Sequence, residues 1–267
     1  ESILALKVIT LKGCEKIIRY AFEYAKSHGR KKVTAFTKDN ILKMTDGLFH
    51  KVFERIGGEF PDIEKEHWIV DIGAAKLADR PELFDVVVLP NLYGDILSDV
   101  CAEIAGSVGL AGSANIGDMG SMFEAIHGSA PRRAGQNLAN PSGLLLAAVM
   151  KLQHIGQEKP ASLIYNAWLK TLEDGLHTYD IFNEKTSTQK VGTKEFGQAI
   201  IARLGQKPTQ LKPAASHLHE TKKTAPQPVI NVKRELVGAD FFIYSKTNPL
   251  SHLQSLKTSF QLKLLTN

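Results

Sequence analysis

Phe84-Asp85-Val86-Val87-Val88-Leu89-Pro90, followed by Asn91-Leu92-Tyr93-Gly94-Asp95-Ile96-Leu97-Ser98-Asp99, is the stretch on which the fold turns. Its first half is a continuous apolar run stopped by a proline, the pattern of a strand covered on both faces. From Gly94 to Ala105 the apolar residues recur at a helical period. A strand covered on both sides needs helices above and below it, which predicts a layered α/β domain. The flanking sequence repeats the alternation. Glu15 to His28 places Ile17, Ile18, Ala21, Phe22 and Ala25 on one stripe and stops at Gly29, an amphipathic helix with a C-terminal glycine. Lys32 to Phe36 reads as a buried strand, Asp46 to Ile56 as a helix and His67 to Val70 as a strand. After Pro141, helices are expected over 142–155, 162–175 and 194–204.

The glycines 106, 109, 112 and 117 invite a dinucleotide-fingerprint reading, which their position opposes. A Rossmann fingerprint lies between a strand and the helix it opens, whereas these glycines follow a helix and precede a segment, Ser113 to Asp118, read as irregular. From Lys207 the composition changes. Pro208, Pro213, Pro226 and Pro228 mark an extended linker over 207–228, and 229–267 reads as a truncated α+β appendage.

The 267 residues are 43% hydrophobic and 23% charged, enough to bury at least one α/β core. The net charge of +5 suggests a polyanion partner only until it is located. Residues 207–267 carry nine Lys/Arg against three Asp/Glu, leaving the main body at −1, so no nucleic-acid partner is expected. No apolar run is long enough for a membrane span and no signal sequence is apparent, so the expected location is cytoplasmic. Cys14 and Cys101 have no zinc-type spacing and read as small core residues.

Asp95 and Asp99 stand at i and i+4 near the start of the helix, so both carboxylates project from one face and repel each other. A hard dication such as Mg²⁺ or Mn²⁺ would relieve that repulsion. The competing explanation is the preference of acids for the first helical turn. Asp71 closes the strand 67–70, and strand ends in α/β proteins commonly face the site. The three together make an oxygen-ligand set. Lys38 follows its strand by two residues. A neighbouring cation would lower its pKa into the range of a working base, though most loop lysines are merely solvated.

PNLYGDILSD, GSANIGD and MFEAIHGSAPRRAGQNLANPSGLLLAAVM, in that order and with TYDIF and GTKEF after them, closely resemble the isocitrate and isopropylmalate dehydrogenase family over residues 5–206. The resemblance implies that family's layered α/β fold rather than a classical Rossmann fold. It makes 1–105 the small domain, with the dimer interface and the metal and catalytic residues, and 106–206 part of the large domain with the cofactor loop. The linker and appendage are similar to a C-terminal extension of some bacterial isocitrate dehydrogenases, which favours isocitrate as substrate. By this resemblance Asp71, Asp95 and Asp99 hold Mg²⁺ or Mn²⁺, and Lys38 helps remove the hydroxyl proton. A homodimer with shared sites is implied, Lys38 and Asp71 coming from the neighbouring subunit. Asn40, Glu124, His127, Gly128, Ser129, Ala130 and Asn140 fall on the cofactor-binding positions.

NADP is the expected cofactor. NAD-linked members carry an acid just after the HGSAP motif, where Pro131 is followed here by Arg132 and Arg133, suited to a 2′-phosphate. Tyr179 resembles a second phosphate contact, while Asn183 replaces the arginine some members place four residues later. The substrate-binding serine, arginines and tyrosine of the family lie upstream of the position matched by Glu1. The chain is therefore expected to be a piece of a longer protein, inactive alone. Isopropylmalate or homoisocitrate dehydrogenase, a non-catalytic subunit and a broken-gene product are the alternatives.

Overall fold

The computed structural model describes residues 3 and 5–214, all within one compact unit, Glu1–Lys223. The appendage expected over 229–267 lies outside the described residues, and the linker is described only as far as Ala214.

Three parallel strands form the first sheet, in the order β2-β1-β3: β1 (Lys32–Thr37), β2 (Glu64–Ile69) and β3 (Val86–Val88). Helices α1 (Leu11–Ser27), α2 (Thr45–Gly57), α3 (Val70–Asp79) and α4 (Asn91–Ile104) cover it. The pleat of β1 separates two cores. Val33 and Ala35 join Ile18, Phe22, Phe49, Phe53 and Ile56 beneath α1 and α2. Phe36 turns the other way, onto Leu77 of α3 and Leu97 of α4. The run 84–89 divides likewise, Val86 and Val88 toward the first core and Val87 and Leu89 toward the second, as expected for a strand covered on both faces.

Helix α1 begins four residues earlier than its apolar stripe suggests, because the Thr10 hydroxyl accepts the Gly13 amide and caps it. It ends at Ser27, and Gly29 just past the His28 cap takes a φ of +64° that suits glycine. Cys14 is buried in the first core, and half-buried Cys101 packs against the second.

Beyond residue 105 a hairpin, β4 (Gly112–Ile116) with β5 (Ser121–Ala125), pairs antiparallel. This corrects the reading of Ser113 to Asp118 as irregular: Ser113 to Ile116 are strand. Gly and Asn have poor strand propensity, and cross-strand pairing overrides it. Helices α5 (Ser142–His154), α6 (Glu158–Glu173) and α7 (Thr193–Ala202) follow, with β6 (Leu176–His177) and β7 (Gln189–Lys190) forming a small parallel pair. Ala167, Trp168, Leu169, Phe196 and Ile200 form their core.

Candidate functional site

Because β1, β2 and β3 run parallel, their C-terminal ends share one edge of the sheet, where ligands bind in open α/β folds. Lys38, Asp39 and Asn40 follow β1, Asp71 follows β2, and Asp95 and Asp99 lie on the helix after β3. Asp71, expected just after a strand over 67–70, sits in the first turn of α3, which already opens at Val70. There Lys38 reaches it, Nζ donating to Oδ1 at 2.7 Å. That bond is the main reason the Asp71 carboxyl is held below its ordinary pKa.

Helix α4 begins at Asn91, not Gly94, so Asp95 falls beyond the first turn. The helix-dipole account of this acid weakens accordingly, since the dipole's effect fades after one turn. Asp95 and Asp99 are both exposed, with Ser98 Oγ donating to the Asp95 carbonyl at 2.8 Å. Among the described residues, Asp71, Asp95 and Asp99 do not converge into a group with ligand atoms within 4.8 Å. The chain brings Lys38 to Asp71 and holds the other two carboxylates on a separate helix.

Sequence patterns did not reveal what holds Lys38. Asp46, in the first turn of α2, is fully buried; its Oδ2 accepts the Lys38 backbone N–H at 2.8 Å and its Oδ1 accepts Lys7 Nζ at 2.6 Å. Lys7 also donates to the Tyr93 hydroxyl at 3.3 Å and lies 4.3 Å from that ring's centroid. The loop bearing Lys38 is thus tied to α2 and, through Lys7, to the start of α4. An acid in a helix's first turn looks the same in sequence whether it is buried or exposed.

A second cleft, of about 500 Å³, opens where α4 gives way to the glycine-rich segment. Of the candidate cofactor residues, His127, Gly128, Ala130, Arg133, Asn140 and Tyr179 line it. Glu124 stands exposed on the hairpin, accepting from Asn115 Nδ2 at 2.9 Å, and Ser129, Pro131 and Arg132 are exposed on the loop without lining the cleft. Asn40 is exposed beside Lys38 at the sheet edge. Ala130 adopts the left-handed region at φ 43°, a costly conformation for a residue with a Cβ. Arg133 Nη1 donates to the Tyr179 hydroxyl, and the guanidinium carbon lies 4.9 Å from the ring centroid. These two residues are 46 positions apart in sequence and meet at the loop.

Asp180 organises the floor of the cleft. It accepts from Ser107 Oγ at 2.5 Å, Thr178 Oγ1 at 2.5 Å and Asn140 Nδ2 at 3.0 Å. Burial pushes its carboxyl up, but these three donors together hold it below its ordinary range. Asn140 is thereby fixed, with its Oδ1 accepting the Ser142 amide at 3.0 Å at the start of α5. Gly109 is required here, since an added Cβ would come within 2.8 Å of Asn140 Cβ and 2.9 Å of Asp180 Oδ2. The glycine-rich segment is therefore part of the cleft without being a Rossmann fingerprint.

The sequence model described as isocitrate/isopropylmalate dehydrogenase matches residues 1–200. A Rickettsia bellii protein named isocitrate dehydrogenase (NADP) is 60% identical over 242 residues, 90% of this chain and 50% of its own length. A Thermus thermophilus protein of the same name is 42% identical over 270 residues, covering 98% of this chain and 54% of the relative. The crystal structure of isocitrate dehydrogenase from Methylococcus capsulatus superposes with a TM-score of 0.71 at 45% identity, covering 75% of this chain and 58% of that one. The chain spans about half the length of the curated relatives it matches.

Proposed function

The chain belongs to the isocitrate/isopropylmalate dehydrogenase family, and from that premise we propose that the whole protein oxidatively decarboxylates isocitrate to 2-oxoglutarate and CO₂, with NADP as oxidant. The observation that carries the cofactor assignment is the meeting of Arg133 and Tyr179 at the rim of the second cleft. A guanidinium fork beside a phenol suits a 2′-phosphate, where an acid would repel it. The names of the Rickettsia and Thermus relatives agree with NADP.

In this proposal residues 1–105 carry the metal and proton-transfer groups and 106–206 the cofactor loop. Asp71, Asp95 and Asp99 would hold Mg²⁺ or Mn²⁺, and they fit, being an all-carboxylate set without nitrogen or sulfur donors. When bound, the dication supplies Lewis acidity toward the substrate's oxygens, and NADP supplies the hydride acceptor. Lys38 takes the substrate hydroxyl proton through its Nζ, and the Asp46 carboxylate fixes the backbone from which that side chain extends. Asp180 holds the Asn140 amide facing the cofactor cleft.

The full site is assigned to a homodimer. Leu92, Ile96, Val100 and Ile104 form an exposed apolar stripe along α4, at 59%, 54%, 37% and 40% exposure, beside Asp95 and Asp99. A second copy covering this stripe would bring its own Asp71 and Lys38 toward those acids, which accounts for their separation within one chain. The test is kcat/KM of the whole protein with isocitrate and Mn²⁺, for NADP⁺ and NAD⁺, repeated in Arg133→Asp. The expected result is an NADP⁺ preference that falls by at least about 100-fold in the variant, since like charges brought together cost several kcal/mol. A preference for NAD⁺ in the starting protein, or an unchanged ratio, refutes the assignment.

A further inference from the structure

Apart from the cleft of the glycine-rich segment, and beside Lys38 at the sheet edge, three potential ligands from three elements converge: Asp39 in the turn after β1, His50 on α2 and His67 on β2. One ligand atom from each lies within 4.8 Å of the others, and all three residues are half-buried. His50 Nδ1 is 2.6 Å from Asp39 Oδ2, and its Nε2 is 3.9 Å from Glu54. His67 Nε2 is 2.8 Å from Thr37 Oγ1. The two imidazoles stack with centroids 3.6 Å apart and planes 16° from parallel. Neither the dehydrogenase proposal nor the packing of the core makes use of this cluster.

We propose that Asp39, His50 and His67 form a binding site for a borderline dication of the Zn²⁺ class, distinct from the oxygen-only set of Asp71, Asp95 and Asp99. Two imidazole nitrogens and a carboxylate oxygen make a donor set that favours Zn²⁺ over Mg²⁺ or Mn²⁺. Zinc bonds of about 2.0–2.1 Å place tetrahedral ligand atoms roughly 3.4 Å apart, which the present cluster reaches by side-chain rotation. Binding turns the rings out of their stack, because near-parallel planes send the nitrogen lone pairs past one another rather than to a common point.

Burial first, then His50, hold His67 below its ordinary pKa, with Asp39 and Glu54 pulling the other way. A neutral imidazole is what a metal requires. Thr37 and Glu54 stand where they can orient the rings, as partners of metal-bound histidines do. Binding weakens as pH falls through the histidine range, since protons compete for the same nitrogens.

The experiment titrates the purified chain with Zn²⁺ by calorimetry in saturating Mg²⁺, which occupies the carboxylate set, and follows the histidine ring resonances by NMR. No dehydrogenase activity enters the measurement, so its outcome is independent of the proposed reaction. The expected result is one equivalent bound with shifts of His50 and His67 resonances. That equivalent should weaken by more than about tenfold in His50→Ala and in His67→Gln, and persist in Asp95→Asn. Circular dichroism checks that each variant is folded; if one is not, the NMR shifts in the unsubstituted chain decide. Unmoved His50 and His67 resonances, or Zn²⁺ binding unchanged by both substitutions, overturns the proposal and leaves a hydrogen-bonded histidine pair.

Discussion

Replacing Asp46 with Asn should destabilise the protein through one buried contact set. The carboxylate is fully buried and serves two close donors, the Lys7 ammonium at 2.6 Å and the Lys38 amide at 2.8 Å, with the Thr45 hydroxyl more distant at 3.5 Å. An Asn side chain has one carbonyl oxygen, so its NH₂ must face one of those donors and leave it unpaired. Removing one partner of a fully buried ion pair costs roughly 3–5 kcal/mol. The Lys7 side chain keeps 33% exposure, so water recovers part of that loss. The expected cost is then roughly 2–3 kcal/mol. At about 2–4 °C per kcal/mol for a chain of this size, Tm should drop by roughly 4–12 °C. Urea unfolding of the two proteins should show a lower midpoint at an unchanged slope. Lys7→Met is the companion, because it strands the same carboxylate. If the pair acts as a unit, the double variant loses less than the two single losses combined. A loss below about 1 kcal/mol with additive double-variant behaviour would refute the claim that this carboxylate anchors the Lys38 loop.

In the whole protein, Lys38→Met should lower turnover by about 10²–10⁴-fold with little change in metal requirement, the range for lost general acid–base catalysis; unchanged kcat removes Lys38 from proton transfer. Asp95→Asn should raise the Mn²⁺ concentration needed for half-maximal rate by at least about tenfold, and an unchanged Mn²⁺ curve excludes it as a ligand. Gly109→Ala should cost about 1–3 kcal/mol of stability and weaken NADP⁺ binding, because the new Cβ crowds Asn140 and Asp180; calorimetry showing equal affinity would count against this cleft as the cofactor site. Burial raises the Glu173 carboxyl, but the amides of Thr209 and Gln210 and the Thr209 hydroxyl bring it down from 4.5 to about 2. A depressed carboxyl stabilises the folded chain above its unfolded value and loses that contribution as pH falls toward its folded one, so protection of the Thr209 and Gln210 amides should fail between pH 4.5 and about 2. Native-state hydrogen exchange reads it, and Glu173→Gln should remove the pH dependence.

The layered α/β arrangement was legible because hydrophobic periodicity is a local property. The run 84–89 demanded apolar neighbours on both faces, and the stripes of α1 and α2 supplied one of them. Candidate site residues were named from equally local signals, Asp95, Asp99 and the HGSAP loop from contiguous motifs and Lys38 and Asp71 from their place just after strands. Element ends were less certain. Thr10 caps α1 and Asn91 opens α4 ahead of their apolar residues, a matter of backbone hydrogen bonding that periodicity does not register.

Burial and long-range pairing were decided in three dimensions. Asp46 and Asp180 are acids like any other in sequence; one became fully buried and the other gained three donors because distant elements packed around them. Arg133 found Tyr179 across a gap of 46 positions, and His67 came over His50 because β2 pairs with β1 while α2 packs on the same sheet. The sequence by itself determined which residues are candidates for chemistry and which kinds of element carry them, because side-chain type and short-range period are written in it. Only the tertiary structure decided which of them meet and how far water is excluded from each, because both depend on strand order and helix packing between residues far apart along the chain.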